Sequence, residues 1–160
     1  MADQAPRSST GGPQWVKCLC VITHDAGYLF AVGTDPVGPR TYFVPVGGGI
    51  EFGELATDAA VREVYEEIGV VIEKPRLLGV LENIFTWNGA ANHEVVFCFI
   101  DQVASRDVVP FEGRESDGKS IPLRWLTEEE LRSSPIPVYP DGILDLILNE
   151  PPGDVSAMGR

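Results

Sequence analysis

Three glutamates, Glu63, Glu66 and Glu67, fall within five residues of one another in the stretch Arg62-Glu-Val-Tyr-Glu-Glu-Ile-Gly69. The periodicity predicts a helix from about Leu55 to Ile68, with Gly69 placed as its C-terminal cap. At 100° per residue the three carboxylates share an arc about 100° wide. Val61, Val64 and Ile68 fall on the opposite side, in the pattern of a core-facing stripe. Carboxylates crowded this way repel one another, an i, i+4 like-charge pair costing roughly 0.2–0.5 kcal/mol. A divalent cation would turn that repulsion into ligation. Mg²⁺ suits such a donor set, because it prefers carboxylate oxygens, keeps several waters and bridges to phosphates. The bland alternative for an isolated Glu-x-x-Glu-Glu is a solvated acidic face.

The neighbouring residues decide between the two. Residues 48–70 contain, at every fixed position, the pattern G-x5-E-x7-R-E-U-x-E-E-x-G-U, where U is bulky and aliphatic. The matches are Gly48, Glu54, Arg62, Glu63, Val64, Glu66, Glu67, Gly69 and Val70. At roughly 7% per fixed position, a chance match is on the order of one in ten million. In this the chain resembles the Nudix hydrolases, and residues 15–149 can be laid on their fold.

The resemblance implies an α/β (α+β) fold with a mixed β-sheet sandwiched between helices. It implies hydrolysis of a diphosphate linkage with Mg²⁺, or Mn²⁺ in its place. The substrate would be a small phosphorylated compound, a nucleoside diphosphate derivative or a nucleoside triphosphate. Glu63, Glu66 and Glu67 would bind the metal together with the Gly48 carbonyl, and Glu54 and Arg62 would form an ion pair locking loop to helix. The base that accepts the water's proton would come from Glu66 or Glu67, or from the later loop. There Glu112, Glu115 and Asp117 are candidates, with Glu115 preferred, and Glu82 is a further one. Two alternatives share the fold: a nucleotide-sensing module without hydrolysis, and an enzyme like isopentenyl diphosphate isomerase. The complete set of box carboxylates argues against the first. The second calls for a protonating group, often a cysteine, and Cys18, Cys20 and Cys98 read as core strand residues.

The elements that must position these groups are legible in outline. Strands are expected at Trp15–Thr23 and Tyr28–Thr34, with a short apolar run at Tyr42–Val46. Arg76–Trp87 and His93–Val103 read as a hairpin joined by Asn88–Asn92, and Ile121–Leu126 as a last strand. Thr127-Glu-Glu-Glu130 reads as a capping box opening a short helix that Pro135, Pro137 and Pro140 terminate. A final helix is expected within Gly142–Asn149. One domain, 15–150, is expected between mobile tails at 1–14 and 151–160.

Composition excludes some classes. At 160 residues and a formal charge of −12 the chain lacks the basic face of a general nucleic-acid binder. Its apolar runs are strand-sized, and its N-terminus has no apolar signal core, so a cytoplasmic protein without membrane attachment is expected. A homodimer is left open by the resemblance. His24 is expected at the surface, and His93 in a structural role. Trp15, Phe43, Phe85 and Trp87 are aromatics able to stack on a base, but none is singled out as substrate-binding.

Overall fold

The computed structural model describes residues 14–38 and 40–149. The expected tails at 1–13 and 151–160 lie outside the described residues. Gln14, assigned above to a tail, opens the first strand. The strands are β1 (Gln14–His24), β2 (Gly27–Thr34), β3 (Thr41–Val44), β4 (Val46–Gly49), β5 (Arg76–Trp87), β6 (Ala90–Gln102), β7 (Glu112–Arg114) and β8 (Ser120–Thr127). The helices are α1 (Ala56–Ile68), α2 (Glu128–Ser133) and α3 (Ile143–Leu148).

The strands form one mixed sheet in the order β5-β6-β1-β2-β8-β7, with β4 on β1 and β3 on β2. β1 and β6 run parallel and the other pairs antiparallel. The apolar run Tyr42–Val46 is not one strand. Pro45 divides it, since proline cannot donate to a ladder, and the halves pair with different neighbours. β1 and β2 therefore part company, and the chain leading to α1 lies between them.

Alternation along the strands fills two cores, one on each face. Cys18, Cys20, Ile22, Leu29 and Phe99 meet Ala59, Ala60, Val64 and Ile68 of α1. Leu19, Val21, Phe30, Phe43 and Val96 meet Leu131 of α2 and Ile143 and Ile147 of α3. All three cysteines are buried and free. Burial pushes the thiols of Cys18 and Cys98 up to about 11 and about 12, and that of Cys20 up as well.

Two connections differ from expectation. The β5–β6 hairpin turns at Asn88-Gly89 alone, both with positive φ (50° and 76°), and Trp87 pairs with Ala90. Two such residues suit the twist of a tight hairpin better than a five-residue loop. The loop 112–119 contains β7, whose Gly113 packs on Ile68 and on the backbone oxygen of Glu67. The capping box at Thr127–Glu130 is present in full. No helix among the described residues is long and apolar enough to cross a membrane.

Candidate active site

β4 is the strand that presents the site. Ile50 donates to the Val16 oxygen, and residues 46–49 continue in the same register against β1. Antiparallel pairs alternate between hydrogen-bonded and non-bonded. The polar backbone of Gly48 therefore faces β1, while that of Gly47 and Gly49 faces away. Two contacts agree: Gly47 N–H donates to Glu67 Oε2 (3.1 Å), and the Gly49 oxygen accepts from Arg62 Nη2 (2.9 Å). The Gly48 oxygen also lies 3.8 Å from the Cys18 thiol. The expectation that Gly48 lends a carbonyl thus meets a strand pairing that turns this oxygen inward.

The glycines are needed for contact as well. Gly47 has φ 152°, and a Cβ there would collide with the Cys18 oxygen. A Cβ on Gly48 would lie 2.5 Å from the Glu63 carboxylate. Gly48 is bare because Glu63 is seated against it.

Between β4 and α1 the loop folds on itself. Glu54 N–H donates to the Glu51 oxygen and Glu51 N–H to Glu54 Oε2, across a turn that Gly53 makes at φ 83°. The Glu54 carboxylate then receives Arg62 in a fork, Nε at 2.8 Å and Nη2 at 2.9 Å. Such bidentate pairs fix geometry as well as contributing energy. Arg62, then the Glu51 N–H, holds the Glu54 carboxyl down at about 2, and Glu54 in turn raises the guanidinium. Arg62 Nη1 also donates to Glu63 (2.8 Å) and Glu66 (3.2 Å), so every N–H of the guanidinium is used.

The three helix glutamates have different surroundings. Glu63 was placed on the polar arc of the helix but is only 9% exposed, because the β4 loop covers it. Val61, expected in the core stripe, is only partly buried. Glu66 is exposed. Glu67 is pushed up to about 8, first by burial and then by the charges of Glu63, Glu115 and Glu66, against the lowering effect of the Gly47 N–H. Among the described residues no three Asp, Glu, His or Cys side chains form a ready-made metal cage. Arg62 stands between Glu63 and Glu66 and holds both.

The outlying candidates separate cleanly. Glu112 accepts from Ser120 (2.7 Å), and Asp117 is paired with Lys119 (2.8 Å). Glu115 sits in an exposed turn, close enough for its charge to act on Glu67. Glu82 is paired with His93 (2.7 Å) on β5. His24 is half buried, contrary to expectation, with Nδ1 3.0 Å from the Val103 oxygen. Phe43 is core, whereas Trp15 is half exposed. Sequence reasoning gave no weight to Tyr42, whose ring lies 5.8 Å edge-on from Trp87. Its only signal was its place just before the glycine strand.

The sequence model of the NUDIX domain matches residues 16–144. The chain belongs to the Nudix family. Curated relatives include diphosphoinositol polyphosphate phosphohydrolase 2 of Mus musculus and of Homo sapiens. Each is 44% identical over 66 residues, 41% of this chain and 36% of the relative. Diphosphoinositol polyphosphate phosphohydrolase 3-alpha of Mus musculus is 45% identical over 65 residues, 41% and 38% of the two chains. The match thus spans little more than a third of those relatives. Among solved structures, the MutT Nudix hydrolase from Burkholderia pseudomallei superposes with a TM-score of 0.61 at 22% identity, over 85% of this chain and 98% of that one. The E. coli ORF135 protein gives 0.56 at 18%, over 91% and 94%. These likenesses establish the Nudix fold.

Proposed function

We propose that this Nudix protein is a Mg²⁺-dependent hydrolase of a diphosphate linkage in a nucleoside diphosphate derivative or nucleoside triphosphate. The observation that carries the reading is the seat of Glu67. A half-buried carboxyl that accepts one backbone N–H, from Gly47, and lies within the field of Glu63, Glu115 and Glu66 carries more negative charge than its partners answer, and a cation suits it. The donor set fits a hard divalent ion: the carboxylates of Glu63, Glu66 and Glu67, and a backbone oxygen of the glycine strand. Strand pairing favours Gly47 over Gly48 for that oxygen, because Gly47 already turns its N–H to Glu67. Bound there, the ion lowers the pKa of a water and neutralises phosphate oxygens.

The chain's own residues do the rest. Arg62 and Glu54 clamp the loop, so β4 and α1 present their oxygens at fixed positions. Glu66 is tied to Arg62 and Glu67 to Gly47, while the Glu115 carboxylate makes no hydrogen bond among the described residues. Glu115 is therefore the group best free to accept the proton of the attacking water at a carboxylate oxygen. The isomerase-like alternative loses its protonating group, since all three thiols are buried.

The test is a panel of nucleoside triphosphates, nucleotide sugars, ADP-ribose, dinucleoside polyphosphates and, because the relatives are named for them, diphosphoinositol polyphosphates. Each is run with Mg²⁺ and with chelator. The reading predicts metal-dependent release of phosphate or nucleotide, lost roughly a hundredfold or more in Glu67→Gln. Turnover that survives chelation or that substitution would refute it.

A further inference from the structure

Glu115 can serve a water at Glu67 only if the hairpin that carries it is held at the right distance from α1. β7 pairs with β8 through Glu112, Gly113 and Arg114, opposite Pro122, Ile121 and Ser120. The pairing runs on past β7: the Glu115 N–H donates to the Lys119 oxygen (2.8 Å), and the Glu115 oxygen accepts from the Gly118 N–H (2.8 Å). Glu115 therefore continues the strand, and side chains two apart on a strand share a side. Gly113 is turned toward α1, so Glu115 is turned the same way, in keeping with the action of its charge on Glu67. Side-chain bonds within the hairpin do not fix its carboxylate. Lys119 Nζ goes to Asp117 (2.8 Å), the Lys119 N–H donates to the same side chain (2.9 Å), and Glu112 accepts from Ser120. The reach of Glu115 is thus set by where the backbone of β7 lies.

What β7 lies against is decided at Gly113. A methyl there would sit 3.2 Å from the backbone oxygen of Glu67, 3.2 Å from Ile68 Cγ2 and 3.5 Å from Ile121 Cγ2. Relaxed carbon contacts are about 3.5–4.0 Å, so the first two are too close. Those two walls belong to the last turn of α1 and the third to the partner strand, which leaves the methyl no room to slide aside. β7 is the edge strand of the sheet, whereas Ile68 is packed in the core, so the hairpin is the part that gives way. Backbone conformation is not the reason for the glycine. Gly113 is absent from the glycines of positive φ, and an alanine could adopt its shape. The residue is bare for the sake of distance.

We propose that Gly113 is a positioning residue, which lets β7 lie against Glu67 and Ile68 and so sets the reach of the Glu115 carboxylate to the attacking water. The inference rests on the hydrolase reading above and adds the residue that places its proton acceptor. An added methyl moves the hairpin by a few tenths of an ångström and leaves the carboxylates of α1 and the backbone of β4 where they are. Proton transfer is sensitive on that scale, because acceptor and donor atoms must come within roughly 2.6–3.2 Å. A misplacement of about 1 Å can cost about a hundredfold in rate, and a fraction of it a correspondingly smaller factor.

Turnover of ATP, GTP, ADP-ribose and UDP-glucose by the full chain is measured with Mg²⁺ for the wild type, Gly113→Ala, Glu115→Gln and the double variant. Gly113→Ala is expected to lower kcat about tenfold while KM stays within about twofold. Its affinity for Mn²⁺, read by isothermal titration, should also stay within about twofold, since the metal's donors are not displaced. In the Glu115→Gln background the same methyl should change kcat by less than about twofold, because its effect passes through that carboxylate. If circular dichroism shows Gly113→Ala unfolded, Ile68→Leu takes its place, removing the Cγ2 methyl on which Gly113 rests at constant volume. Its expected loss of kcat is about threefold, again absent in the Glu115→Gln background. Wild-type kcat in the methyl variant or in Glu115→Gln overturns the assignment and leaves the hydrolase reading standing. The same fold loss in both backgrounds, or Mn²⁺ binding weakened in step with kcat, does so too. Absence of hydrolysis of all four compounds by the wild type removes the hydrolase reading and this assignment together.

Discussion

The segment 47–67 and the strand face around Asn83 solve the same problem, positioning polar groups, in opposite ways. Within 47–67 nearly every partner is local: Glu54 with Glu51 and Arg62, Arg62 with Gly49, Glu63 and Glu66, and Gly47 with Glu67. Around Asn83 the partners come from distant parts of the chain: Lys17 with Glu94, Tyr42 with Trp87 and with Tyr139. The first region is self-satisfied except for excess negative charge. The second keeps an amide unpaired. The difference teaches that catalysis needs a rigid arrangement which can be encoded in one short segment. The face around Asn83 is instead assembled only when strands distant in the chain come together.

Four perturbations press on that comparison. The largest effect is expected at Gly47→Ala, where the new methyl meets the Cys18 backbone at an unfavourable φ. A loss of about 3 kcal/mol is expected in urea denaturation. A wild-type midpoint would mean that the glycine strand is not held as tightly as its contacts require. Next, Arg62→Ala removes the fork to Glu54 and the bonds to Gly49, Glu63 and Glu66. Calorimetry should show a melting temperature lower by roughly 5 °C. An unchanged value would contradict the clamp.

The third is a pH effect. In the folded, metal-free chain Glu67 is held up at about 8 against its ordinary 4.5. Its stabilising contribution is complete below about 4.5 and lost as the pH rises through 8, because unfolding lets the carboxyl ionise freely. Glu54, held at about 2, acts in the opposite sense, contributing above 4.5 and losing that contribution as pH falls through 2. With chelator present, thermal stability should therefore fall between pH 5 and 8, and Glu67→Gln should flatten the decline. A flat wild-type profile would contradict the burial of Glu67. The smallest effect is expected at Glu82→Gln, whose exposed pair with His93 contributes about 0–1 kcal/mol. A large loss of turnover there would move Glu82 into the site and blur the division between the two regions.

The same division explains what the sequence disclosed. Helix α1 and its Gly69 cap are readable because residues three and four apart decide them, and the Glu54–Arg62 pairing because the family resemblance implies it. The capping box at Thr127 is readable from residues three apart as well. The burial of Glu63 was not, because it depends on the β4 loop covering one side of the helix. The direction of the Gly48 oxygen was not, because it depends on whether Cys18 opposite is a bonded or non-bonded pair. Pro45 could have warned that Tyr42–Val46 is two strands, and Asn88-Gly89 that the hairpin turn is tight. Asn83 gave no signal at all, since an asparagine in a strand is unremarkable until its neighbours are known.

The central claim is that the helix carboxylates around Glu67 form the seat of a divalent cation. Isothermal titration of Mn²⁺ into the wild-type chain and into Glu67→Gln tests it most directly. The account predicts saturable binding to the wild type and at least tenfold weaker binding to the variant, with both proteins folded. Equal binding to the two, or none to either, would contradict it.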